Sequence, residues 1–192
     1  SVHRPRDAER LVLRTAADWD RDVLPREASQ TQATFEVEVK GPTLELKPCL
    51  REGTTLRWSK GLNYVLTAHE PEQSPSGATP LGGYRGLWPY FFGEERGRVS
   101  DVLQVGFEGV TRAIRVYHPP GYDENTLRRF PVLYMHDGKN LFFPEEAFAG
   151  NEWRVDETMD RLDRMNAIRK CVVVGIAPGD RMREYTKPGY DD

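Results

Sequence analysis

Five consecutive residues, His136, Asp137, Gly138, Lys139 and Asn140, place an imidazole, a carboxylate, an ammonium and an amide on one short stretch, directly after the apolar run Phe130–Met135. A short, nearly continuous apolar run bounded by turn residues reads as a buried strand of a parallel sheet. Polar residues and a glycine at the carboxyl end of such a strand sit where open α/β sheets place their active sites. The plain alternative is a strand followed by an ordinary glycine turn. A metal is a weaker reading. His118 and His136 end strands expected to be neighbours, but two strand-end histidines with one Asp more readily hydrogen-bond loops than hold an ion, so no metal site is assigned.

The surrounding elements would have to position that stretch. Strand Val132–His136 is followed by a loop from Gly138 to Asn151 and then by an amphipathic helix over Trp153–Ile168. Val155, Met159, Leu162 and Met165 recur at helical spacing, with acids and arginines on the other face. Asn151 is the expected N-cap, and Glu152 and Asp156 lie near the positive end of the helix dipole. Cys171–Ala177 reads as a second fully buried strand, completing a right-handed strand–helix–strand unit. Upstream, Ser100–Phe107 and Ala113–His118 read as an antiparallel hairpin closed by Glu108 and Gly109. The fold class expected from these elements is α/β.

The front of the chain has a different period. Thr34–Val39 alternates apolar and charged residues, the clearest strand signal in the sequence. Thr43–Leu50 resumes the alternation, and its Pro48 suggests a sheet edge or a strand end. Leu11–Thr15, Leu56–Ser59 and Asn63–Thr67 complete a set of short strands separated by turn residues, as in a small β-sandwich over residues 1–68. Residues 69–99 read as a linker and interface segment, rich in Pro, Gly and Ser until the aromatic cluster Leu87–Phe92. Gly82 and Gly83 fit no phosphate-binding fingerprint.

Lys47, the segment Trp58–Tyr64 with Asn63, and the Trp19 loop resemble the sugar-contacting end of starch-binding-type carbohydrate-binding modules. The resemblance implies that Lys47, Trp58 and Asn63 contact carbohydrate, the indole stacking on a sugar ring while Lys and Asn reach its hydroxyls. A core position is the competing reading for both Trp58 and Trp19, and short sandwich strands favour it.

The segments Val116–Tyr122, Pro131–Phe142, Trp153–Glu157, Val173–Ile176 and Arg183–Thr186 resemble, in order, an esterase branch of the α/β-hydrolases. That branch contains enterochelin, feruloyl and acetylxylan esterases. The resemblance covers residues from about 100 to the end and implies an N-terminal β-sandwich followed by the first half of an α/β-hydrolase sheet. It also implies that the backbone N–H of Lys139 is an oxyanion donor, with Gly138 permitting the turn that aims it. His136, Asp137, Gly138 and Asn140 would line the substrate site. The branch's Gly-x-Ser-x-Gly elbow occurs nowhere in the 192 residues, and its acid and histidine would come later still. The nearest look-alike, Arg57–Gly61 around Ser59, lacks the first Gly and lies in the front domain.

The expected function is therefore serine-dependent carboxylic ester hydrolysis by an intact protein of which this chain is the front portion, 100–192 being an incomplete esterase domain. The chain alone is expected to be inactive, and its missing partner would be the rest of that domain, because Val172–Ile176 would otherwise be a bare apolar edge. The alternative is a carbohydrate-binding protein with a degenerate hydrolase domain. The partners expected are a small-molecule ester and carbohydrate. A net charge of −3 with interspersed signs argues against nucleic acid. No apolar run approaches the ~18 residues of a membrane helix, and nothing calls for a cofactor. Cys49 and Cys171 read as buried thiols.

Overall fold

The computed structural model describes residues 1–5, 7–67, 86–165 and 167–185. Most of the linker, with His69, Gly82 and Gly83, lies outside these residues, as do residues 186–192. The chain divides into two compact units. Unit 1 comprises Ser1–Glu95 with Gly121–Arg129 and Arg164–Ile168; unit 2 comprises Arg96–Pro120, Phe130–Asp163 and Arg169–Asp192.

Unit 1 is built from eight described strands: β1 (Val2–His3), β2 (Leu11–Thr15), β3 (Asp18–Val23), β4 (Glu27–Ala28), β5 (Gln32–Thr34), β6 (Thr43–Glu52), β7 (Thr55–Trp58) and β8 (Tyr64–Thr67). They form a three-stranded sheet in the order β1-β5-β4 and a five-stranded sheet in the order β3-β2-β6-β7, with β8 also paired to β6. Leu11 and Leu13 of β2, Leu46 and Leu50 of β6, Val2 and Ala33 share one core, which Leu87 and Phe91 complete.

Two strand expectations need correction here. Beyond Thr34 the strongly alternating segment joins no ladder, although Phe35 and Val37 still pack on the core. Period-2 alternation reports a half-buried extended chain; it does not report whether a neighbour supplies hydrogen bonds. Pro48 lies in the middle of β6, a central strand. It is tolerated because β8 pairs with Thr43–Leu46 and β7 only from Cys49 onwards, so Pro48 falls where the neighbour changes. Its carbonyl is used, accepting the Ser59 N–H at 3.0 Å. With no ladder carbonyl of β7 or β8 opposite that gap to be left without a donor, the usual penalty of an interior proline does not arise.

Unit 2 contains β9 (Arg98–Val99), β10 (Leu103–Phe107), β11 (Val110–His118), β12 (Val132–Met135), helix α1 (Val155–Arg164), β13 (Val172–Ile176) and the short helix α2 (Arg181–Tyr185). The sheet order is β10-β11-β13-β12, with β9 on β11. The hairpin forms as expected: Glu108 (φ 47°) and Gly109 (φ 79°) are both left-handed, as a two-residue turn of type I′ requires.

The α/β class is overturned. Strand far outweighs helix among the described residues, with three sheets against one ten-residue α-helix and one of five residues. The ladders of unit 2 are antiparallel except for β12 on β13. A single strand–helix–strand segment carries the parallel signal, and that signal does not extend to the rest of the chain. Of the two strands expected to be buried, β13 is so and is not the bare edge expected of Val172–Ile176, whereas the assignment of β12 is overturned. β13 is interior, between β11 and β12, whereas β12 is the edge, with Val132, Leu133 and Tyr134 47%, 44% and 67% exposed. His118 and His136 do not end adjacent strands either. β11 runs antiparallel to β13 and β13 parallel to β12, so the two histidines end strands at opposite ends of the sheet.

Helix α1 starts at Val155, later than expected, and Asn151 does not cap it. Val155 and Met159 pack on the cluster of Tyr117, Leu141, Phe142 and Val173. The buried face is not purely apolar, however. Asp160 is buried, and its Oδ1 accepts the Tyr117 hydroxyl at 2.8 Å and the Gly97 N–H at 2.7 Å. Burial and the neighbouring Asp160 push the Tyr117 phenol well up. Gly97 is required by closeness, since a Cβ there would lie 2.1 Å from the Tyr117 ring.

One turn earlier, burial and then the neighbouring Glu157 push the Asp156 carboxyl up to about 6. A carboxyl whose folded pKa is raised favours the folded state fully below the unfolded value near 3.8, and that benefit is lost as pH rises through about 6. Asp156→Asn should therefore raise stability at pH 7–8, by up to roughly 1 kcal/mol after allowing for partial solvation. The gain should vanish near pH 4. Urea melts at both pH values measure it, and an equal effect at both would show that titration is not the cause.

Candidate active-site corner

The polar stretch singled out in the sequence forms a tight corner at the end of β12. His136 leaves the strand, Asp137 turns it in the left-handed conformation (φ 55°, ψ 40°), and Gly138–Asn140 make one turn of 3₁₀ helix. The Asp137 carbonyl accepts the Asn140 N–H at 2.8 Å. The turn expected at Gly138 is thus made one residue earlier, since the unusual backbone conformation belongs to Asp137. Gly138 serves closeness instead. A Cβ on it would lie 2.6 Å from the Gly175 carbonyl carbon and 2.7 Å from the Ile176 nitrogen. Gly175 faces it, with space for a Cβ blocked by Leu141 at 2.7 Å. The corner is folded down onto the β13 backbone at the sheet's carboxyl end.

The side chains then divide by task. Lys139 is exposed, and with Gly138 it borders a cleft of about 360 Å³ beside Arg115, Glu146, Gly175 and Ala177. Arg115 is paired with Glu146 (Nε to Oε2, 2.9 Å), donates to the Ser100 carbonyl at 2.6 Å, and lies over the Phe143 ring. The Arg115 guanidinium holds the Glu146 carboxyl below its ordinary range, with Lys139 adding to the effect. Asn140 works as a loop anchor: its Oδ1 accepts the Phe148 N–H at 2.9 Å and its carbonyl accepts the Trp153 N–H at 2.7 Å.

His136 Nδ1 is 3.2 Å from the Tyr185 hydroxyl, and Asp137 is 3.2 Å from Arg181. The Arg115–Glu146 pair, Arg181 and Tyr185 have no site role on sequence grounds. Only Tyr185 carries a signal, as part of the Arg183–Thr186 segment. The pairings themselves depend on chain distances that no local pattern reports.

The front-unit residues lie separately, in unit 1. Trp58 is 43% exposed, against the expectation of a core position, and its ring centroid is 6.1 Å from that of half-buried Trp19. Lys47 donates to the Gly61 carbonyl at 2.6 Å, and Asn63 donates to Glu45 at 3.1 Å. Burial lowers the Lys47 ammonium pKa. The look-alike Ser59 is buried, so its hydroxyl is no surface nucleophile.

Residues 109–191 match the family model described as "Putative esterase". This stretch contains the whole corner and supports an esterase-family relationship. Among solved structures, a ferulic acid esterase is 25% identical, the alignment covering 51% of this chain and 35% of that chain, with a TM-score of 0.34. The chain therefore spans about a third of that protein's length. No curated protein sequence matches the chain.

The backbone contact at Gly138 gives a direct expectation. Gly138→Ala should cost at least about 2 kcal/mol, because the atoms its Cβ meets are main chain and cannot rotate away. Lys139→Ala, at an exposed position, should stay within roughly 0.5 kcal/mol. Urea denaturation of the two variants decides it; equal stabilities would refute the close packing.

Proposed function

We propose that the chain contributes the oxyanion-binding corner of a serine carboxylic ester hydrolase. In this reading the nucleophilic serine, its histidine and its acid come from residues outside this sequence. One observation carries the proposal: the left-handed Asp137 and the close-packed Gly138 set the Lys139 amide at the end of β12, beside an open cleft. Attack on an ester carbonyl puts negative charge on its oxygen, and a fixed backbone N–H within about 2.7–3.1 Å of that oxygen stabilises the transition state without having to reorganise. Using a main-chain donor makes the identity of residue 139 secondary and the conformations of residues 137 and 138 primary. The family match over residues 109–191 supports the reading. His136, Asp137 and Asn140 shape the corner, and the substrate is a small-molecule ester.

The test is a fluorophosphonate probe with a p-nitrophenyl ester assay. The 192-residue chain should show no labelling and no turnover above buffer, whereas a longer product carrying a Gly-x-Ser-x-Gly should show both, at that serine. Stoichiometric labelling of the 192-residue chain, or none of the longer product, would refute the assignment.

A second reading is favoured by the exposed Trp58 beside Trp19: the front unit binds carbohydrate and the second unit is non-catalytic. Because Lys47 and Asn63 already hold internal bonds, affinity would rest mainly on ring stacking, worth about 0.5–1.5 kcal/mol per aromatic contact. Maltooligosaccharide should quench tryptophan fluorescence in the native chain and much less in Trp58→Ala. An unchanged spectrum in the native chain would eliminate this reading.

A further inference from the structure

We propose that Arg181 and Tyr185 of α2 are positioning residues for the oxyanion corner, holding His136 and Asp137 in the conformation that aims the Lys139 amide. The inference rests on the hydrolase reading for its purpose, but its geometry stands independently.

Asp137 is left-handed, a conformation that a Cβ disfavours. Such conformations persist where the surroundings over-determine them. Two adjacent residues of the corner are gripped by the same five-residue helix. The Arg181 guanidinium is 3.2 Å from the Asp137 carboxylate, and the Tyr185 hydroxyl is 3.2 Å from His136 Nδ1. The Tyr185 ring also stands edge-on to the imidazole, with centroids 5.6 Å apart. Arg181 lies 5.9 Å from the Tyr185 ring, so the two clamping side chains support one another.

The helix is itself tied down. Glu184, between the two clamping residues, pairs with Arg112 of β11 and accepts the Gly179 N–H at 3.1 Å. The restraint therefore runs from the hairpin, through α2, to the corner. Arg181 is 62% exposed at its side chain and Tyr185 is 46% exposed. Neither belongs to the core, so removing either should loosen the corner without unfolding the sheet.

Amide exchange and ¹H–¹⁵N shifts of the 192-residue chain would be compared among the native protein, Arg181→Ala, Arg181→Lys and Tyr185→Phe. Arg181→Ala should raise exchange at Asp137–Asn140 by roughly two- to fivefold, the size an exposed ion pair can sustain, and shift the Lys139 amide. Amides of β10 and β11 should not change. Arg181→Lys should recover part of the effect, and Tyr185→Phe should reproduce it at His136 and Asp137. No change at residues 136–140, or an equal change across the whole sheet, overturns the proposal. If exchange responds while a longer, serine-bearing product fails to label with fluorophosphonate, the clamp stands and the hydrolase reading falls. If the longer product labels while exchange at the corner stays unchanged, the hydrolase reading stands and the clamp falls.

Discussion

The second unit depends on the contact of two main chains without side chains between them. Gly138 lies on Gly175 and Ile176, and each glycine occupies space that the other element needs. Protein interiors are packed densely enough that one added methyl must be accommodated by movement, and main chain inside a sheet moves at high cost. The contact fixes the height of the 137–142 segment above β13. That height determines the burial of Leu141 and Phe142, the course of the loop anchored by Asn140, and the position of α1, whose first residue Val155 donates to the Leu141 carbonyl at 2.9 Å. The corner is thus a consequence of sheet packing and is not an independent loop conformation.

Electrostatics around α1 depend on the same packing. Helix α1 turns Asp160 inward, where an unpaired carboxylate would be expensive. Tyr117 and the Gly97 amide satisfy it. Further along, Asp163 meets Lys170 at 3.2 Å, and Lys170 also donates to the Pro120 carbonyl at 2.8 Å. The inner face of α1 is therefore held by directed polar contacts as well as by Val155 and Met159. Such contacts fix rotation and register more sharply than a smooth apolar stripe.

How far the sequence can be read varies with the range of the interaction. Glu108 and Gly109 signal their hairpin because turn chemistry is local, and β6, β7 and β8 emerge from alternation between turn residues. The corner at residues 136–140 is visible as an abrupt change from apolar to polar. The expectations that fail depend on partners distant in the chain. The apolar run at β12 implies cover on both faces, yet Val132 and Tyr134 are exposed and the strand is an edge. The helical pattern Val155, Met159, Leu162, Met165 misses the inward Asp160, because a carboxylate becomes a core residue only when Tyr117 and Gly97 are brought to it. The α/β expectation treats one parallel ladder as the rule, whereas the antiparallel pairing of β11 with β13 is visible only in three dimensions. Trp58 reads towards the core because tryptophans in short strands usually are, and its position at the end of β7 leaves it exposed instead.

The exposure of Lys139 sets a condition on any chemistry at the corner. A backbone N–H facing bulk solvent competes with water for a developing oxyanion, and its net contribution approaches that of an ordinary hydrogen bond, about 1 kcal/mol. In a site from which water is excluded, one such donor contributes about 3–4 kcal/mol. The geometry at Asp137 and Gly138 supplies direction, which is the component a backbone can fix in advance. It does not supply the low dielectric, because the cleft at Lys139 is open and its charges, Arg115 with Glu146 and Lys139 itself, remain partly hydrated. In the proposed hydrolase, whatever carries the nucleophile would therefore also have to cover this cleft. Under that proposal covering and attacking would become one structural event, and the preset amide would gain its full effect only with that cover in place.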